Sequence, residues 1–228
     1  MKHTGRARKA AFKLILIALI LMGILVAVGA LAALIGSLTV VMSSVLIPLW
    51  ILFALFSLYF FRDPNPRVPF GGGLVVSPAH GKVDVIDTTV EPLFMKGECQ
   101  RISIFLSVMD VHVQNAPVSG RVSFFKYSTG QFLNALRTES AEHNENVLIG
   151  IDATEPAGLK LGIRLIAGAI ARRIVPYLKE GEEIERGERI SLIQFGSRAD
   201  IYLPAGAQIK VKLGDRVKGG ETILATFE

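Results

Sequence analysis

Gly196-Ser197 is the clearest chemical pointer in this chain of 228 residues: a hydroxyl nucleophile directly after a glycine, in a hairpin between two repeated segments. The other chemistry-bearing residues are scattered. His3, His80, His112 and His143 fall in no H-E-x-x-H or His/Cys spacing, so no metal-ligand cluster is expected. Cys99 is the only cysteine, which excludes an intramolecular disulfide and suits a reducing compartment. Its neighbours Gly97, Glu98, Gln100 and Arg101 offer a thiolate little support, so it reads as an incidental thiol. His112 follows Asp110 by two residues. Taken alone it reads as a buried histidine satisfied by backbone, because one histidine has many structural uses.

The elements that hold these residues repeat. Gly181–Ile190 and Gly214–Ile223 share G-[ED]-x-[IV]-x-x-G-E-x-I, while Pro78–Val83 and Pro117–Val122 share P-x-x-G-[KR]-V. Internal repetition of this kind implies a pseudo-symmetric β-structure of short strands and glycine turns. The pattern is similar to the flattened barrel of biotinyl and lipoyl domains, whose hairpin at this point presents a modified lysine. Here the hairpin reads Gln194-Phe195-Gly196-Ser197-Arg198-Ala199-Asp200, with no lysine, which disfavours a carrier role.

Half of the residues are hydrophobic, and Leu14–Phe61 contains no charge. As one helix that run would extend about 72 Å, more than twice a hydrocarbon core of about 30 Å. Two passes fit better, near 12–35 and 38–61, with a turn at Gly36-Ser37 and competing breaks at Ser43-Ser44 and Pro48. Lys2, Arg6, Arg8, Lys9 and Lys13 before the run, and Arg62 and Arg67 after it, put both ends on the cytoplasmic side. A cleaved signal peptide would have a shorter apolar core and would not lead directly into a second pass. The net charge of +5 suits an anionic membrane surface and comes with no nucleic-acid motif.

The expected organisation is a basic N-terminus (1–11), a transmembrane hairpin (12–61), a Pro/Gly-rich linker (62–73) and a mostly-β domain (74–228). Leu74–Val76, Lys82–Asp87, Arg101–Leu106, Arg121–Tyr127, Val147–Asp152 and Ile190–Phe195 have the composition and alternation of strands. Leu159–Tyr177 fits a helical stripe or a strand, with Arg164, Arg172 and Arg173 on a solvated face. Gln131–Asn146 reads as a long polar loop near a substrate site.

From Phe60 onward the chain resembles the short bacterial type of phosphatidylserine decarboxylase proenzyme. The resemblance rests on Phe60–Pro64, Phe105–Val113, Asn115–Gly120, Ile166-Ala167-Gly168 with Ala171–Ile174, and Phe195–Arg198, in their joint order and spacing. It implies self-cleavage between Gly196 and Ser197. Ser197 Oγ attacks the Gly196 carbonyl, the resulting ester eliminates to a dehydroalanine, and hydrolysis leaves a pyruvoyl group, so that serine becomes the cofactor. The products would be a large chain of residues 1–196 and a small chain of 197–228. The resemblance further implies decarboxylation of phosphatidylserine to phosphatidylethanolamine through a Schiff base to the pyruvoyl group, on the cytoplasmic face of a bacterial inner membrane. A homo-oligomer is compatible with this reading.

Within that resemblance His112 matches the family's Asp-x-His histidine and becomes a proton-transfer residue, with Asp110 either orienting it or closing a turn. His80 departs from the family pattern, which has aspartate there. A neutral imidazole can still accept a proton from Ser197, so His80 either replaces the acid or slows processing. Asn115 stands where longer members carry a second histidine. Arg172, Arg173 and Arg198 are phosphate candidates through charge alone. Two competing readings are a membrane-anchored lipoyl-like adaptor and a processing-deficient relative that only binds lipid.

Overall fold

The computed structural model describes residues 5–32, 38–130, 144–155, 157–168, 173–194 and 197–227. Gly5–Asp63 forms one compact unit and the chain from Pro64 onward forms another. The first unit contains α1 (Arg6–Ala32) and α2 (Leu38–Phe60), which pack against each other. Both are long and apolar enough to cross a membrane. α2 continues through Pro48 and Ser43-Ser44, so neither breaks it, while the expected turn at Gly36-Ser37 lies outside the described residues.

The second unit is built from strands because its segments alternate apolar and polar residues between glycine turns. In chain order these are β1 (Leu74–Val76), β2 (Gly81–Glu91), β3 (Gly97–Leu106), β4 (Val113–Asn115), β5 (Gly120–Ser128), β6 (Asn146–Ala153) and β7 (Lys160–Ala167). They continue with β8 (Arg173–Pro176), β9 (Glu183–Ile184), β10 (Arg189–Gln194), β11 (Ser197–Leu203), β12 (Gln208–Ile209), β13 (Arg216–Val217) and β14 (Ile223–Thr226). The ambiguous Leu159–Tyr177 segment is therefore extended wherever it is described. β-branched Ile163, Ile166 and Ile174 favour that state. The expected loop at Gln131–Asn146 falls largely outside the described residues, which resume with Asn144.

Among the described residues the strands form a curled eight-stranded sheet, ordered β13-β2-β3-β11-β7-β6-β5-β9, and two three-stranded sheets, β1-β14-β12 and β4-β10-β8. The large sheet reads the same from either end once the repeats are recognised. β13 pairs with β2 at Gly81 just as β9 pairs with β5 at Gly120. Both β2 and β5 carry a register shift two residues further on, at Val83/Val85 and Val122/Phe124. Across the pseudo-dyad, Val76 N–H donates to Pro117 O at 3.0 Å and Asn115 N–H donates to Pro78 O at 2.8 Å. The domain is thus two copies of one seven-strand unit. An inserted half, β4–β10, sits within a host half made of β1–β3 and β11–β14.

The repeat glycines explain why this sequence folds so. Gly181 and Gly214 both have φ of 93°, and Gly187 and Gly220 have 81° and 72°, conformations that a side chain resists. The core lies between the large sheet and the two small ones, where Ile102, Ile104, Leu106, Ile149, Ile151, Leu161, Ile163, Ile201 and Leu224 are fully buried. On the opposite face of the large sheet Tyr202 lies over Gly162 and the Phe94 ring over Gly150, where added Cβ atoms would fall 3.3 and 2.5 Å away. Residues Pro64–Pro69 lie along the domain surface. Arg189 donates to Asn65 Oδ1 at 2.8 Å, Arg67 N–H to Glu221 at 3.1 Å and Arg186 to Pro69 O at 2.8 Å.

Candidate active site

Two connections join the halves: residues 107–112 lead from β3 to β4, and residues 195–196 lead from β10 to β11. The strands that flank them are neighbours: β3 pairs with β11 in the large sheet and β4 pairs with β10 in a small one. β7 ends and β8 begins at the same place, with Ala167 opposite Ser197 and Arg173 opposite Gln194. The candidate site is this break between sheets. Phe195 and Gly196 lie outside the described residues, as does Arg172.

Ser197 is the first residue of β11 and is wholly buried, with Leu106 and Ala167 as its cross-strand neighbours. Strand alternation puts its side chain on the core face with Ala199, Ile201 and Leu203. Its Oγ has no hydrogen-bond partner among the described residues. Ser103 and Ser123 have hydroxyls in the same condition, so what sets Ser197 apart is its place at the strand break.

His112 is also wholly buried, and its backbone carbonyl accepts from Ile193 N–H at 3.1 Å, which ties the two connections together. Nδ1 lies 2.8 Å from Asp110 O. A carbonyl can only accept, so Nδ1 carries a proton, and in the neutral form of the ring the lone pair is on Nε2. The Asp110 carboxylate is engaged at the turn itself. It closes the turn by accepting from Ser107 N–H at 2.8 Å and Ser107 Oγ at 2.7 Å, and it pairs with Arg216 at 3.0 Å.

His80 ends the bend before β2, a bend in which Ser77 Oγ donates to Ala79 O at 2.7 Å. Lys82, Phe105 and Arg198 form one cross-strand row, so His80 and Ser107, each two residues beyond it, come to the end of the sheet at which β11 begins with Ser197. β2 and β11 are separated only by β3, about 10 Å backbone to backbone. The His80 ring shares its corner with Asn115. A Cβ on Gly219 would stand 3.1 Å from His80 Cδ2 and 2.8 Å from Asn115 Oδ1. Asn115 is held by its Nδ2 donating to Gly187 O at 2.9 Å.

The arginines divide. Arg173 is exposed at the start of β8, next to the break. Arg198 points to the opposite face from Ser197, is 3 % exposed, and forms an ion pair with Asp84. Burial raises the Asp84 carboxyl above its usual range, against the pull of that guanidinium. Two strand positions on, Asp200 is buried and pushed up by desolvation, opposed by Ser103 and by Arg198, Arg101 and Arg164. Cys99 is buried with its thiol raised by desolvation, away from the break. Asp84, Asp200 and Gly219 were not singled out from the sequence. A signal for Gly219 was present: the second repeat has Gly219-Gly220 where the first has Arg186-Gly187.

A buried serine at a strand break, its hydroxyl without a partner among the described residues, and a buried histidine on the neighbouring connection stand in a chain that also carries two apolar helices. The model of the phosphatidylserine decarboxylase family matches residues 53–225. Phosphatidylserine decarboxylase proenzymes are similar over most of their length. That of Desulfotalea psychrophila is 45% identical over 77% of this chain and 81% of its own. That of Zymomonas mobilis is 48% identical over 72% and 69%, and that of Symbiobacterium thermophilum 42% over 75% and 79%. The chain belongs to the phosphatidylserine decarboxylase family, and so to the carboxy-lyases.

Proposed function

We propose that the chain cuts itself between Gly196 and Ser197 and then, at a membrane surface, decarboxylates phosphatidylserine to phosphatidylethanolamine. The observation that carries this reading is the Ser197 hydroxyl, enclosed and without a partner among the described residues, at the sheet end that also receives His112 and His80. Ser197 Oγ attacks the Gly196 carbonyl as His112 Nε2, or His80, takes its proton, and the peptide bond becomes an ester. Loss of the Ser197 Cα proton then expels the Gly196 carboxylate and frees the large chain. Water removes the nitrogen as ammonia, leaving a pyruvoyl group at the head of the small chain.

The position suits that group, since the side chain is small, shielded from water and not tied to a neighbour among the described residues. Once formed, the group supplies a carbonyl that condenses with the substrate amine and takes up the electrons released as carbon dioxide leaves. His112, with Nδ1 held by Asp110 O, then offers Nε2 for proton delivery to the substrate carbon. Arg173, with Arg172, binds the lipid phosphate, while Arg198 and Asp84 hold the strand that presents Ser197. The positive residues flanking the apolar helices and the lone reduced cysteine support a cytoplasmic-face location on the bacterial inner membrane.

Denaturing mass spectrometry of the purified chain tests the reading. The expected result is a C-terminal fragment starting at position 197 with pyruvoyl in place of serine, and release of carbon dioxide from phosphatidylserine. An uncut chain that still decarboxylates would overturn it.

A further inference from the structure

The pseudo-symmetric halves carry equivalent turns of opposite character. In the host half the turn that leads through β13, Lys210–Gly219, holds Lys210, Lys212, Arg216 and Lys218 against the single acid Asp215. Its counterpart in the inserted half, Tyr177–Arg186, holds Lys179 and Arg186 against Glu180, Glu182, Glu183 and Glu185. The backbones match. Gly214 N–H donates to Val83 O at 2.8 Å and Gly181 N–H to Val122 O at 2.7 Å. Leu213, 63 % exposed, therefore stands where the inserted half has the exposed glutamate Glu180.

The host turn is also fastened to the candidate site. Arg216 pairs with Asp110 at 3.0 Å, and the residue before Asp110 is Met109, 58 % exposed, in the same connection as His112. The Lys82 side chain lies against Gly214. Two exposed apolar tips with lysine and arginine around them are what an anionic bilayer surface binds: the tips enter the headgroup region and the cations are drawn to the charged headgroups. The acidic counterpart turn is repelled by the same surface.

We propose that the Lys210–Lys218 turn, with Met109, docks the domain on anionic lipid and brings the sheet break to the bilayer, leaving the inserted half's turn in water. The proposal rests on the lipid-substrate reading above, but its test does not need cleavage or turnover. Full-length chain carrying Leu213→Cys or Glu180→Cys is labelled with an environment-sensitive fluorophore, Cys99 being buried, and reconstituted into phosphatidylcholine vesicles with or without phosphatidylglycerol. Quenching by doxyl-labelled lipid is then read.

The expected result is a blue-shifted label at 213, quenched severalfold more than the label at 180, with the difference growing when phosphatidylglycerol is present and shrinking in Lys210→Glu/Lys212→Glu. Equal, water-like emission at both positions would overturn the proposal. So would quenching at 213 that ignores phosphatidylglycerol, since it would remove the charge argument. A blue-shifted label at 213 that doxyl lipid does not quench would point to a protein partner, such as a second copy, and would also overturn it.

Discussion

The inserted half keeps an intact hairpin from β6 to β7, whereas the host half's equivalent, β3 to β11, has been opened to admit the inserted half. Superposing the halves by their pairing registers places Ser197 on Leu159 and Arg198 on Lys160. Gly196-Ser197 thus corresponds in sequence to Gly158-Leu159, the same glycine followed by an ordinary core residue. Lys160 makes a loose, exposed pair with Asp152 at 4.0 Å, where Arg198 is buried against Asp84. His80 takes the place of Ser119, whose Oγ accepts from Arg186 N–H at 2.9 Å. The imidazole fits because Gly219 stands where Arg186 would be. One half keeps an ordinary core residue and a serine at these positions, and the other carries Ser197 and His80 there.

The sharpest way to break this comparison is to copy the inserted half into the host. Ser197→Leu removes the nucleophile while keeping an apolar residue of the kind its counterpart tolerates. Gel analysis should show only the uncut chain and no decarboxylation, and any cleavage would end the argument. Next in size is His80→Ser, which should slow cleavage by roughly 100-fold or more, the usual worth of a positioned proton acceptor. Ser119→Ala in the inserted half should leave the cleavage rate unchanged in the same time course.

Gly219→Ala sharpens the comparison further. Its Cβ would press on Asn115 and His80, so urea titration should show a loss of about 1–3 kcal/mol together with slower cleavage. Arg186→Ala, at the counterpart position, should lose only about 1 kcal/mol and cleave normally.

The smallest effect concerns Asp200, whose counterpart is Gly162. Burial raises its folded pKa above the unfolded value of about 3.9, so its acid form favours folding. Its contribution is complete below that value and is lost as pH climbs through the folded pKa. Asp200→Asn should therefore gain stability relative to the parent between pH 4 and neutrality, and denaturation midpoints that move in parallel would count against this sign.

Much of the fold is legible locally. Alternation in Arg101–Leu106 and Val147–Asp152 specifies strands because one face must be buried, and the charge-free run to Phe61 specifies apolar helices because nothing in it requires water. The glycines of the repeats announce turns, since their φ values admit little else. Leu159–Tyr177 was ambiguous because a short apolar run with three arginines satisfies both periods, and only its pairing with β6 and β11 makes it a strand.

The sequence by itself determined the elements, the repeat and the residue types at the site: Gly196-Ser197, His112 and the unusual His80. What only the tertiary structure decided is their assembly. The insertion of one half into the other's hairpin brings residues 80, 112 and 197 to one sheet end, buries Ser197 on the core face, turns Arg198 away to Asp84 and gives His80 room beside Gly219. None of this follows from local propensity. Long-range strand pairing fixes which residues become neighbours, and a chain carries no local record of a partner some 90 residues away in sequence, as Leu106 is from Ser197.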